Sequence, residues 1–429
     1  MGAAMNLADT AEQALALMRA AGFEHAQVTA AQSQLNELNV NHNEPSLLRS
    51  TDSRKLSLMG IVDGRMASTE VADLDPEAVR ARIAGLFGDA GSAPRDEANA
   101  VSAGQHTRIV KGPQEAQLET LAAKMGELLE FRQRETPRMI VEEADAKHTL
   151  YRWHTLTTGG SDLGGSLGWY GMGVFGTARE GKQSSSFNYT GGNTDALDGA
   201  PAFGHFGIGE MMRETERQIH TQPLGGKFVG DVVLTPNAVE SLLAWLQGQL
   251  GDMQLIAGSS LYRESVGKVI ASPLLTLRSR FDAPGVAPVS ADGFVAPAVD
   301  VVRAGELRTL TPGLYGSRKT GLPHVPVAPS GWEIAAGETP REQLLAGVER
   351  GAVVGRLSMG NPAANGDFSG VIKNSFRITD GAVGPALSET MVSGNMASML
   401  RRIVAVSRER IDSGGLLLPW IRVAGLHFS

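Results

Sequence analysis

The stretch "FVGDVVLTPNAVESLLAWLQGQL", residues 228–250, decides how the second half of this chain is built. "FVGDVVL" reads as a strand. Thr235 and Pro236 then mark a helix start, a capping hydroxyl followed by a proline at the first helical position, where a missing N–H costs nothing. The rest, "SLLAWLQGQL" (241–250), reads as a helix with one buried side and carries no group that does chemistry. The sequence around it must say whether this helix is plain core or the place where a related chain keeps its active site.

Downstream, short strands are expected at "KVIASPLLTL", "VVRAGELRTL", "VVGRLSM" and "FSGVIKNSFRITDG", separated by Gly, Pro and Asp. Two helices are expected, "TPREQLLAGVERG" and "NMASMLRRIVAVSRER", the second carrying Arg401, Arg402, Arg408 and Arg410 on a solvated face. Upstream, "QPLGGKFVG" is the candidate boundary. It divides the chain into an N-terminal α+β domain, 1–225, and a C-terminal, mostly antiparallel β-rich domain, 226–429, so the fold class is α+β.

The N-terminal part opens with the helix "DTAEQALALMRAAG", with a capping box at Thr10 and Gln13 and an end at Gly22. A strand, "AQVTAAQSQLNELNV", follows. Then comes the hairpin "RKLSLMGIVDGRMASTEV", turning at Asp63–Gly64. The helix "DPEAVRARIAGLFG" starts at Asp75 and Pro76. The same order recurs as a helix near 115–132, a strand through "RMIVEEADAKHTLYRWHTL", a Gly-rich hairpin near 168–190 and the helix "GEMMRETERQIHTQ". A duplicated helix–strand–hairpin–helix unit is therefore expected.

Composition narrows the function classes. The 429 residues exceed one ordinary core, and 52 glycines point to many tight turns and close strand contacts. A net charge of −7 with no basic stripe disfavours nucleic-acid binding. No basic leader and no long apolar run is visible, so neither a signal peptide nor a membrane span is expected. There is no cysteine, hence no disulfide and no thiolate ligand, and a cytoplasmic location is expected.

Short motif matches fail on context. "GMGVFG" (171–176) fits G-x-G-x-x-G, but a polar, strand-like segment follows instead of a helix. "GGSLG" (164–168) fits G-x-S-x-G without the flanking strand and helix, and a loop is expected there. "SVGK" (265–268) and "KTG" (319–321) resemble parts of serine acyl-enzymes, but Ser265 opens no helix. His148 and His154 share a strand face, yet six residues at about 3.3 Å put them about 20 Å apart, too far for one ion. His220 is expected at a helix end, where a cation suits the dipole.

The wording of the longer segments is more specific. "GDVVLTPNAVESLL", "AGSSLYRESVGKVIASPLLTL", "SADGFVAPAVDVVRAGELRTLTPGLYGSRKTG" and "GDFSGVIKNSFRITDGAVGPALSETMVSGNM" stand in an order that resembles the TldD/PmbA family over most of the chain. The resemblance implies one of two subunit types. TldD-type chains carry H-E-x-x-x-H directly after the leucine pair of this helix and a late cysteine as third zinc ligand. PmbA-type chains, also called TldE, lack these and pair with a TldD-type chain in a zinc peptidase acting on unfolded or small peptides. Here the leucine pair is Leu242–Leu243, and the motif positions fall on Ala244, Trp245 and Gln249.

The resemblance thus implies a PmbA-type subunit with no catalytic, metal-binding or cofactor-binding residue of its own. Its partner would be a TldD-type zinc-carrying paralogue in a heterodimer, or itself in a homodimer. The substrate would be a peptide, with neither nucleic acid nor membrane involved. The rival reading is a stand-alone homodimeric peptide-binding, scaffold or regulatory protein. The family's older label, modulator of DNA gyrase, belongs with that class.

Overall fold

The structure, a computed structural model, describes residues 6–388 and 390–429. Turn chemistry sets the first half. α1 (Leu7–Ala20) leads into β1 (His25–Asn41), which folds back as β2 (Glu44–Val62). His42 and Asn43 take φ of 50° and 69°, the double positive pair a type I′ hairpin turn needs. Asp63 and Gly64, at 49° and 68°, make the second such turn into β3 (Arg65–Val71). In α2 (Pro76–Ser92), the Asp75 carboxylate accepts from the N–H groups of Glu77 and Ala78. After β4 (His106–Lys111) the order recurs as α3 (Leu118–Glu135), β5 (Met139–Thr157), β6 (Asp162–Glu180), the short β7 (Gln183–Ser184), β8 (Asn188–Thr194) and α4 (Ile208–Arg217).

The strands form one sheet in the order β3-β2-β1-β5-β6, with β4 and β8 both pairing β6. The two halves meet at an antiparallel β1–β5 seam, from Gln27 opposite Thr157 to Asn41 opposite Glu143. α1 and α2 bury Val28, Ala30, Leu56 and Leu58 at one end of the sheet. α3 and α4 bury Val40, Ala146 and Met172 at the other end of the same face. The opposite face, with Thr29, Tyr151 and Trp153, turns toward the second half of the chain.

Three local expectations are corrected. Asn6 caps α1 by accepting from the Ala8 N–H at 3.0 Å, while the Thr10 hydroxyl donates to Asn6 O at 3.0 Å, so there is no Thr10–Gln13 box. Residues 44–53 are exposed and lack apolar alternation, yet they extend β2, because all but Ser46 pair across to β1, Leu48 with Leu38 and Asp52 with Gln34. "GGSLG" is no loop; it lies inside β6. Its Gly168 has a packing reason, since a Cβ there would stand 1.6 Å from Pro113 O.

The second half is built on another sheet. Its elements begin with β9 (Thr221–Gln222), β10 (Phe228–Leu234), α5 (Pro236–Leu250) and α6 (Asp252–Ile256). β10 lies between the C-terminal strand Leu416–Phe428, antiparallel to it, and strand Arg350–Val354, parallel to it. Most other pairings here are antiparallel. The expected helix over 395–410 is mostly wrong. A short helix, Met396–Arg401, gives way to a strand, Ile403–Asp412, that pairs with Leu416–Phe428. Ile403 and Val406 are buried and Val404 is exposed, and such β-branched side chains suit the half-buried pleated surface that pairing with Leu416–Phe428 creates. The segment 268–276 is irregular, with a strand only at Leu277–Ser279.

Polar clasps join the halves. Lys111 Nζ donates to Phe281 O and Ala283 O, both at 2.6 Å. Tyr315 and Lys319 both donate to Asp96, at 2.8 and 2.9 Å. Among the described residues no helix is long and apolar enough to cross a membrane.

Candidate functional site

α5 is regular from Pro236 to Leu250, and Gly251 leaves it in an extended conformation (φ −99°, ψ 179°). Thr235 stands at the cap position, but its hydroxyl donates to Gly355 O at 3.1 Å and accepts from no N–H of the helix. One side of the helix enters the main core of the second half through Leu242, Leu243, Leu246 and Leu250, all at most 3% exposed. The other side is small, with Ala244 and Gly248 exposed.

That small side fronts a pocket of about 890 Å³. Its helical wall is Ser241, Ala244, Trp245, Gly248 and Gln249, closed at one end by Met253 and Gln254 of α6. The facing wall is strand Arg356–Ser358 and the loop that follows it, from Met359 to Ala364. No ionisable side chain is among these lining residues. Positions 244, 245 and 249 are thus brought to one place. Ala244 is exposed, Trp245 half-buried and Gln249 buried.

Two of the three, Trp245 and Gln249, have partners of their own. Trp245 meets Tyr262 edge to face, with ring centroids 6.1 Å apart at 81°. Burial of Tyr262 pushes its hydroxyl up to about 12. Gln249 Oε1 accepts the Leu261 N–H at 2.9 Å, and its backbone carbonyl accepts the Ser260 hydroxyl at 2.6 Å. For zinc these side chains do not fit. Alanine has no donor atom, the indole N–H has no lone pair to give, and the Gln249 oxygen is a neutral amide already engaged. Among the described residues, no three His, Cys, Asp or Glu side chains gather as a metal-holding group.

The remaining singled-out residues sit elsewhere. His148 is buried, its Nε2 2.9 Å from Pro113 O, and burial lowers its pKa. His154 meets Asp162 at 2.9 Å, and burial, then the Arg108 charge, lowers its pKa. The two histidines have separate partners. His220 lies beyond the end of α4, and its Nε2 stands 2.7 Å from a Glu180 carboxylate oxygen, a hydrogen bond that places the ring. "GMGVFG" runs along β6, Ser265 lies outside any helix, and Lys319 is committed to Asp96.

Sequence reading missed two features. One is the outer wall of the pocket, residues 357–364, which carries no motif. The other is Glu214 of α4, whose carboxyl is pushed up to about 7, first by burial and then by the nearby Glu210 charge. Glu210 pairs with Arg341, whose guanidinium lies 4.5 Å over the Trp420 ring.

Two sheets, with helices on one face of the first and α5 embedded against the second, define an α+β architecture found in solved relatives. TldE from Thermococcus kodakarensis superposes with a TM-score of 0.82 at 18% identity, over 98% of this chain and 100% of that one. A chain from Bacteroides thetaiotaomicron, named as a candidate modulator of DNA gyrase, gives 0.84 at 20% identity over 98% of each. The model of the PmbA/TldA metallopeptidase C-terminal domain matches residues 226–429. Residues 226–429 of the chain thus belong to the TldD/PmbA family. Metalloprotease PmbA of Escherichia coli O157:H7 is 30% identical over 187 residues, which cover 40% of this chain and only 41% of that protein.

Proposed function

We propose that this chain is the non-catalytic, zinc-less subunit of a two-component TldD/PmbA-type metallopeptidase that acts on unfolded or small peptides. A zinc peptidase needs a metal-activated water and a positioned base. The observation that carries the reading is the outer side of α5. The positions of the metal motif are Ala244, Trp245 and Gln249, and they line a pocket without an ionisable side chain. In this reading the base and the metal come from a paralogue with H-E-x-x-x-H, and the present chain closes part of an enclosed chamber in the cytoplasm. Its two domains are 1–225 and 226–429.

Co-expression with such a paralogue from the same genome tests it. A tagged copy of this chain should capture the paralogue in equal amounts, and zinc in the complex should follow the paralogue alone. Capture of this chain by itself, with the paralogue left free, would leave the second reading, a homodimeric peptide-binding or scaffold protein.

A further inference from the structure

A second cavity, of about 340 Å³, lies where the outer face of the first sheet meets the loop around 285–293. Only 5% of the chain is aromatic, yet three aromatic side chains wall this one cavity: Tyr151 and Trp153 from β5 and Trp169 from β6. Alternation puts odd-numbered β5 residues on this face, so Tyr151 and Trp153 stand side by side, stacked with ring centroids 5.7 Å apart at 15°. The loop closes over them where it has little bulk of its own. At Gly285, whose φ is +71°, a Cβ would come within 3.0 Å of the Trp169 ring. Leu163 and Leu167 of β6 and Val286 and Ala287 of the loop add to the apolar wall.

Polar groups are few and lie around these rings. The hydroxyls of Thr29 and Thr155, 2.8 Å apart, share the cavity with Gln27 and Ser290. Besides the Tyr151 phenol, no ionisable side chain lines it. Mostly apolar walls with a few fixed hydrogen-bonding groups are the usual make-up of a small-ligand site, and this volume is within the usual range for one. A folded partner could not enter it.

We infer that this cavity is a binding site for one uncharged aromatic group, the side chain of a phenylalanine, tyrosine or tryptophan residue within a peptide. Flat rings offer offset-stacked and edge-to-face contacts that an aliphatic group of equal area does not. The threonine hydroxyls and the glutamine amide suit the neutral amides that flank a residue in a chain. A free amino acid would bring an ammonium and a carboxylate into a site with no ion to pair with either, and unpaired charge is costly to desolvate. The site belongs to the lone chain, so it does not depend on the proposed pairing with a zinc-carrying subunit.

Calorimetric titration of the full chain with N-acetyl-phenylalanine amide tests it, with tryptophan fluorescence as a second readout. A ligand of this size should bind one per chain with a Kd on the order of 1 mM. N-acetyl-alanine amide and free phenylalanine should each bind at least about tenfold more weakly, a difference of about 1.4 kcal/mol. Trp169→Leu should weaken the aromatic probe by a similar factor. Ala291→Trp adds bulk at an exposed lining position, where the fold has room for it, and should abolish binding. Equal binding of the alanine and phenylalanine probes, free phenylalanine as tight as the capped form, or undiminished binding by Ala291→Trp would each overturn the assignment. So would the absence of saturable binding in a chain that still captures its paralogue, an outcome that leaves the proposed function standing.

Discussion

Two places in this molecule differ most in how they handle charge. The pocket over α5 has about 890 Å³ of space and no ionisable lining residue. The junction under α4 crowds Glu210, Glu214 and Arg341 against Trp420, and it holds a carboxyl pushed up to about 7. A perturbed carboxylate is often a sign of catalysis, but structural ion networks perturb carboxylates as well. Here the perturbed group sits where α4 of the first half meets the second half, away from the residues at the metal-motif positions. Charge strain marks the joint between the two sheets, and the site-like cavity is electrically quiet.

The largest expected effect is on the wall between pocket and core. Leu246 is 1% exposed on the inner side of α5, and Leu246→Ala should cost about 2–5 kcal/mol in denaturant unfolding. A loss below about 1 kcal/mol would mean that α5 is not anchored as described.

Next comes Glu214. Its folded pKa lies above the ordinary value of 4.5, so the native state holds this proton more tightly than the unfolded chain. Wild-type stability should therefore fall as pH rises from about 4.5 to about 7, and below that window the group should contribute no pH dependence. Glu214→Gln should gain about 2 kcal/mol at pH 8 and almost nothing near pH 4. Melting curves at both pH values check the sign. A gain of equal size at both would assign the effect to packing instead of charge.

A smaller effect is expected on the open side of α5. A Cβ on Gly248 meets nothing within 4 Å, so Gly248→Ala should stabilise by about 0.5–1 kcal/mol through helix propensity alone. Destabilisation there would show that another surface already rests on this side.

The smallest expected effect is on metal binding. In Ala244→His/Trp245→Glu/Gln249→His the two histidines would stand five residues apart, about 140° around a regular helix. α5 is regular, and the chain has no cysteine to supply a third ligand. Zinc titration should show weak binding at most. Tight one-to-one zinc would mean that the helix is a nearly intact metal site.

Much of the frame was legible because it is local. Thr235–Pro236 starts α5, Asp75–Pro76 starts α2 and Asp63–Gly64 turns β2 into β3, each through the conformation of one or two residues. What escaped depends on distant partners. Residues 44–53 have no apolar alternation, and only their register with β1 makes them a strand. Ile403–Asp412 is compatible with helix or strand until Leu416–Phe428 lies beside it. The candidate site divides in the same way. Ala244, Trp245 and Gln249 could be singled out only through the family motif, since nothing in their own chemistry marks them. The opposing wall, 357–364, and the aromatic cavity around Trp153 and Trp169 exist only in the folded chain.

The most direct measurement is peptide cleavage by three samples: this chain alone, an H-E-x-x-x-H paralogue from the same genome alone, and the two mixed. The predicted result is no cleavage by this chain, and on mixing a peptidase activity that chelation abolishes and zinc restores. Chelator-insensitive cleavage by this chain alone, surviving repurification, would contradict a non-catalytic subunit outright.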